Sequence, residues 1–273
     1  MAKTHDILKL VLVAVNAIGD QAVGLNEPSG LTLDAEDRSL FTVSDDTKAI
    51  FRLDLKGRLL MADSFFVEVK DLEGIACSPD GDYLIAVEEE INSVVRIDQR
   101  RRIVLQRSPL KQMNNFQTIQ KYFPAGPDNK GLEGITINTS NSHIYAVKEG
   151  RPGLLIKISP DLQTIVDARL LNKSNGFDHP SVTEQKLDFS GLSYDRSRDL
   201  IWIASDKGEC IYIYDWESNR AIQRIELRRS MQENDKLIRK AEGIAVDCTG
   251  RHLYAVSERD CKLYTYKIKN AKK

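Results

Sequence analysis

The chain has 273 residues, 41% of them apolar and 29% charged, with 39 Lys and Arg against 40 Asp and Glu. That balance leaves no global field to draw nucleic acid or anionic lipid, so any electrostatic function has to be local. No apolar run reaches the roughly 18 residues that cross a bilayer, so no membrane-spanning helix is expected.

Residues 7–18, ILKLVLVAVNAI, have the length of a signal-peptide core, but Lys9 interrupts them, Asp6 precedes them and no cleavage site follows. They read as a strand. No export signal is visible, which leaves the compartment open, cytoplasm included.

From residue 28 the chain repeats itself. PSGLTLD (28–34), LEGIACS (72–78), LEGITIN (132–138), FSGLSYD (189–195) and AEGIAVD (241–247) are five copies of one short apolar strand. Each is followed by a second apolar run ending on a carboxylate: Asp45, Glu88, Glu149, Asp206 and Glu258. The glycine-to-carboxylate count is 15, 14, 15, 15 and 15 residues, and the glycines recur at steps of 44, 60, 57 and 52. Within each copy, runs rich in Val, Ile, Leu, Phe and Tyr alternate with turns rich in Asp, Gly, Ser and Lys, as in IFRLDL-KG-RLLMADSFF. Four antiparallel strands per repeat of this length is the β-propeller pattern, one repeat to a blade.

The expected fold is therefore all-β, a five-bladed propeller in one domain over 1–273, with blades at about 28–66, 71–110, 131–171, 188–228 and 241–268. The fifth repeat has only three strands before the chain finishes, and residues 7–15 have no blade of their own. Pairing the N-terminal strand with the last blade closes the ring and removes two open edges. Residues 103–130 contain a Pro- and Gly-bearing loop, not a sixth blade. Helical periodicity is confined to SMQENDKLIRKA (230–241).

In a propeller the start of the innermost strand and the end of the second strand share a face. The five copies thus set an inner ring of Ser29, Glu73, Glu133, Ser190 and Glu242 at one mouth. Outside it falls a second ring of Asp45, Glu88, Glu149, Asp206 and Glu258. Crowded carboxylates repel unless something compensates them. Three compensations are open. A hard cation, Ca²⁺ first, would take oxygens from Glu73, Glu133 and Glu242, with the second ring as weaker donors. Nearby bases (Lys48, Lys130, Lys148, Arg151, Lys207, Lys240, Arg259, Lys262) would neutralise the rings as ion pairs. Backbone N–H groups of adjacent blades would bind the carboxylates directly. For the second ring, acids that simply cap turns are the expected role.

The motifs resemble the SdiA-regulated (YjiK-like) bacterial β-propeller family. They are Asp71-Leu72-Glu73-Gly74-Ile75-Ala76, Gly131-Leu132-Glu133-Gly134-Ile135, Asp188-Phe189-Ser190-Gly191 and Ala241-Glu242-Gly243-Ile244-Ala245-Val246-Asp247, the last with Tyr254-Ala255-Val256-Ser257-Glu258. More distantly the chain is similar to NHL-repeat propellers and esterase-like phytases. The resemblance implies a five-bladed propeller with a calcium site, carried by Glu73, Glu133 and Glu242, in an exported or membrane-anchored protein of the cell envelope. It implies no established catalysis. Arg259-Asp260-Cys261, where the family has Pro-Asn, and the polar insert 172–187 depart from the pattern.

Catalytic motifs are sparse. Of four histidines, His5 is terminal, His143 and His252 fall in turns opposite the acidic mouth, and His179 lies in the polar insert. Neither a nucleophile elbow, an HExxH nor a P-loop is present. Two functions follow: a calcium-binding, non-catalytic module for a protein, glycan or small-molecule ligand, or a metal-dependent hydrolase of lactonase, phosphoesterase or phytase type. Cys77, Cys210, Cys248 and Cys261 show no CxxC spacing. A Cys210–Cys261 disulfide and four free thiols are both compatible with their positions.

Overall fold

Alternating apolar runs need a second surface on each face, and a ring of sheets supplies it. The computed structural model describes residues 6–44, 47–124, 130–229 and 237–271. Strand β1 spans Leu8–Ala17. Blade one holds β2 (Pro28–Leu33), β3 (Ser39–Ser44), β4 (Ala49–Asp54) and β5 (Phe65–Phe66). Blade two holds β6 (Leu72–Cys77), β7 (Tyr83–Glu88), β8 (Ser93–Asp98) and β9 (Ile103–Pro109). Blade three holds β10 (Leu132–Ile137), β11 (Ile144–Lys148), β12 (Gly153–Ile158) and β13 (Ile165–Leu171). Blade four holds β14 (Leu192–Asp195), β15 (Leu200–Ser205), β16 (Cys210–Asp215) and β17 (Arg220–Glu226). Blade five joins β18 (Ala241–Val246), β19 (His252–Ser257) and β20 (Lys262–Asn270) to β1.

The closure is as expected: β1 runs antiparallel to β20, from Leu8 opposite Asn270 to Ala17 opposite Lys262. Leu8 and Leu12 bury their side chains in the same cluster as Trp202 and Tyr266. Five such clusters fill the five seams between blades. Each buried Leu, Ile or Val there contributes about 1.5–3 kcal/mol, so the seams hold the ring together.

The glycine of each repeat is required by packing. A Cβ on Gly30, Gly74, Gly134, Gly191 or Gly243 would run into the backbone carbonyl of Glu73, Glu133, Ser190, Glu242 or Ser29 respectively. Each inner strand abuts the next, and the fifth contact returns to the first. This close approach explains why Gly follows Glu or Ser in all five copies.

Two local expectations change. RLLMADSFF is not a continuous strand, because Met61–Asp63 forms a single turn that leaves an isolated bridge of Leu59 to Leu53 on one side and the short strand Phe65–Phe66 paired with β4 on the other. Within 230–241, residues 230–236 lie outside the described ones. Leu237 makes a bridge to Arg228 and Ala241 already begins β18, so the described part is not helical. After β9 the chain makes three short turns, Leu110–Gln112, Phe116–Thr118 and Gln120–Tyr122. Insert 172–187 is built on turns at Lys173–Asn175 and Glu184–Lys186.

Candidate functional site

The acidic mouth is built by a bulge at the start of the inner strands. Pairing skips a step between Leu72 and Ile75, between Leu132 and Gly134, and between Ala241 and Gly243. A bulge leaves a residue outside the ladder and re-aims its side chain. Here the residues within the skipped steps include Glu73, Glu133 and Glu242, all half-buried. The two serines bond to backbone: Ser29 Oγ donates to the nearby Glu27 carbonyl at 3.3 Å, and Ser190 Oγ donates across to the Ala241 carbonyl of blade five at 2.7 Å.

The glutamates feel one another. Burial pushes the Glu133 carboxyl well above the usual range, and Glu73 and Glu242 push it further, followed by Glu89 and Glu149. Burial raises Glu242 to about 8, with Asp206 and Glu258 adding to the rise and Lys240 opposing it. Glu73 also belongs to a tighter group: one ligand oxygen each from Asp71, Glu73 and Glu89 lie within 4.8 Å of one another. The turn fixes its flanks. Asp71 adopts φ +60° and its Oδ2 accepts the Glu90 N–H at 2.5 Å, while Glu89 Oε1 accepts the Gly131 N–H of blade three at 3.1 Å.

Register corrects the second ring. Leu72 faces Glu88 across the strands as Leu132 faces Lys148, Ala241 faces Ser257 and Pro28 faces Ser44. The equivalent of Glu149, Asp206 and Glu258 in blade two is therefore Glu89, one residue later. Glu88 is a fully buried strand residue held by Arg107, whose Nε donates to Oε2 at 2.7 Å and whose Nη2 donates to Oε1. The signal was the count of 14 instead of 15. Asp71 is assigned no role from the sequence, although the equivalent positions hold Glu27, Gly131, Asp188 and Lys240, so an acid stands there in three of the five copies and that was the signal. Asp45 lies outside the described residues.

The remaining outer acids are bound by bases and backbone. Lys130 pairs with Glu149. Lys240 Nζ donates to both oxygens of Glu258, at 2.6 and 2.7 Å, and its backbone N–H donates to Asp206 Oδ1 at 2.7 Å. Asp188 accepts from the Ser205 hydroxyl at 3.0 Å and the Lys207 N–H at 2.9 Å, with Lys207 Nζ at 3.3 Å. Burial and Asp188 raise the Asp206 carboxyl, against the pull of Lys240 and Lys207.

The other sequence candidates fall elsewhere. Lys148 is buried and its Nζ donates to the Gly150 carbonyl, and Lys48 pairs with Glu68. His179 Nδ1 accepts the N–H groups of Ser181 and Val182 at 3.1 and 3.0 Å, so it ties its own insert together. All four thiols are free. Cys210 packs between blades three and four, whereas Cys261 Sγ contacts the Asn26 carbonyl beside blade one, which rules out their pairing.

Five four-stranded blades around an acidic mouth define the class, a five-bladed β-propeller with clustered carboxylates at one end of its channel. The chain belongs to the SdiA-regulated family, whose model matches residues 16–267. Its fold is similar to the crystal structure of the glutaminyl cyclase of Myxococcus xanthus, with a TM-score of 0.66 and 12% identity over 98% of this chain and 99% of that one. It is also similar to a chain of the nidogen/laminin complex, with a TM-score of 0.50 and 14% identity over 85% of this chain and 73% of that one. Likeness at such identity shows the fold alone. Among the described residues no helix is long and apolar enough to cross a membrane.

Proposed function

We propose that the mouth holds a hard cation, Ca²⁺ by preference, and that the protein is a non-catalytic binding module of the bacterial cell envelope. On this reading Glu73, Glu133 and Glu242 hold the ion, with Asp71 and Glu89 extending the donor set on the blade-two side. The observation that carries it is the convergence of Asp71, Glu73 and Glu89 oxygens within 4.8 Å, beside a Glu133 carboxyl that burial raises and that Glu73 and Glu89 help to raise. An all-oxygen, carboxylate-rich set suits Ca²⁺, and a bound dication would relieve the repulsion. The ion would supply rigidity to the inner ring and an anchor point for a protein, glycan or small molecule at that face.

The test is thermal unfolding with Ca²⁺ and with chelator, for the native protein and for Glu133→Gln. Binding to the folded state raises the melting temperature. A rise that Glu133→Gln removes is the expected result, and no rise in the native protein would sink the reading.

Metal-dependent hydrolysis is a second reading, and Glu242 favours it. A carboxyl raised to about 8 is matched to general acid–base work near neutral pH. Calcium-dependent cleavage of a lactone or phosphomonoester, lost in Glu242→Gln while the Ca²⁺ melting shift persists, would establish it.

A further inference from the structure

The two segments that interrupt the repeat, 110–124 and 172–187, meet on either side of β13 and enclose a groove of about 490 Å³. Its size lies within the range of small-molecule sites. It sits on the outer strand of blade three, away from the carboxylates of the mouth, and its walls carry an unusual density of side-chain amides: Asn115, Asn172, Asn175 and Asn219.

The hydrogen-bond network decides which way each amide faces. Asn175 Oδ1 accepts the Asn172 N–H at 3.0 Å, and its Nδ2 donates to the Leu170 carbonyl at 2.7 Å, so its orientation has no alternative. Asn175 Nδ2 also donates to Asn219 at 3.1 Å, which requires the Asn219 atom there to be Oδ1. That oxygen accepts the Tyr214 hydroxyl as well, at 2.8 Å. Asn172 Oδ1 accepts the Ser174 N–H at 3.0 Å and its hydroxyl at 2.7 Å. Asn115 Nδ2 donates to the Ile165 carbonyl at 3.1 Å. Of these four amides, the groups left without a protein partner among the described residues are the NH₂ of Asn172, the NH₂ of Asn219 and the carbonyl oxygen of Asn115.

Charge is cancelled locally. Asp167 Oδ2 holds the Arg169 guanidinium through Nη2 at 2.8 Å and Nε at 3.1 Å, and the guanidinium lies over the Trp216 ring at 5.3 Å. The Tyr122 ring adds an apolar face to the wall. A neutral groove with fixed donors, a fixed acceptor and an aromatic surface suits a molecule that carries many hydroxyls on an apolar frame.

We propose that this groove is a binding site for a neutral saccharide, with the Asn172 and Asn219 amides donating to sugar oxygens and the Asn115 carbonyl accepting a sugar hydroxyl. The side chains need no rearrangement for this, because their other halves are already held by the protein. Such preorganisation lowers the cost of binding.

The test is saturation-transfer NMR on the whole protein with three probes at millimolar concentration: maltose, cellobiose and N,N′-diacetylchitobiose. The variants Asn172→Asp and Asn219→Asp keep the oxygen that the fold uses and replace the outward NH₂ donor by a charged carboxylate oxygen that only accepts, and thermal unfolding of each variant checks that the fold is kept. Transfer to at least one probe is expected, weakened about tenfold in affinity by each substitution. Silence from all three probes overturns the proposal, and so does binding that both substitutions leave unchanged. Glu133→Gln should bind the sugar like the native protein, which separates this site from the cation at the mouth.

Discussion

Blades four and five bring Asp188, Asp206, Glu242 and Glu258 to the mouth, and two ammonium groups come with them. Lys240 grips Glu258 and Lys207 reaches Asp188. Blade three brings Glu133 and Glu149, with Lys130 on Glu149, whereas blade two brings Asp71, Glu73 and Glu89 and its Lys70 holds the more exposed Glu90 instead. Blades three, four and five thus pair an acid of the mouth with a cation of their own. Blade two converges three carboxylate oxygens instead, and on the proposed reading that is where an external cation gains most. Equal acidity around a ring therefore does not mean equal affinity for a metal; the placement of a few lysines decides it.

The largest expected effect is on calcium stabilisation. At a hundredfold excess over Kd, binding is worth about 2.7 kcal/mol, roughly 5–10 °C of melting temperature for a chain of this size. Glu73→Gln should abolish nearly all of it, whereas Lys240→Met should leave it intact or enlarge it. Loss of the response in Lys240→Met with retention in Glu73→Gln would invert the comparison.

An intermediate effect concerns pH. Glu242 titrates at about 8 when folded against 4.5 for the free side chain, and Glu133 shifts the same way, so between those values the folded state binds more protons than the unfolded one. Stability in chelator should then fall as pH rises through that window. Carboxyls held low, such as Asp34 and Asp247, act oppositely and only in acid, near and below 3.8. Melting curves from pH 5 to 8 should show the decline, and Glu242→Gln should flatten it. An unchanged slope in that variant would remove Glu242 as its source.

The smallest effect is structural. The Lys240 side chain is 47% exposed, so its ion pair with Glu258 is worth about 1 kcal/mol at most. Denaturant unfolding of Lys240→Met in chelator should show a loss of that order, reduced when Ca²⁺ is added. A loss unaffected by Ca²⁺ would mean that blades two and five do not communicate across the mouth.

Much of this molecule was legible in the sequence alone. Five copies of a Glu/Ser-Gly strand, each leading to a second apolar run, determined the blade count, the inner ring and the need for residues 7–15 to close it. These features are local: strand periodicity and turn chemistry act within a few residues, and repetition multiplies them. The tertiary structure decided the rest. Register showed that Glu89, not Glu88, joins the ring, because the pairing of Leu72 with Glu88 puts Glu88 in the seam with Arg107. Packing between blades brought Lys240 to Asp206 across 34 residues and Asn175 to Asn219 across 44. Which base meets which acid, and which amide group remains open, depends on distances between blades, and no pattern along the chain encodes those.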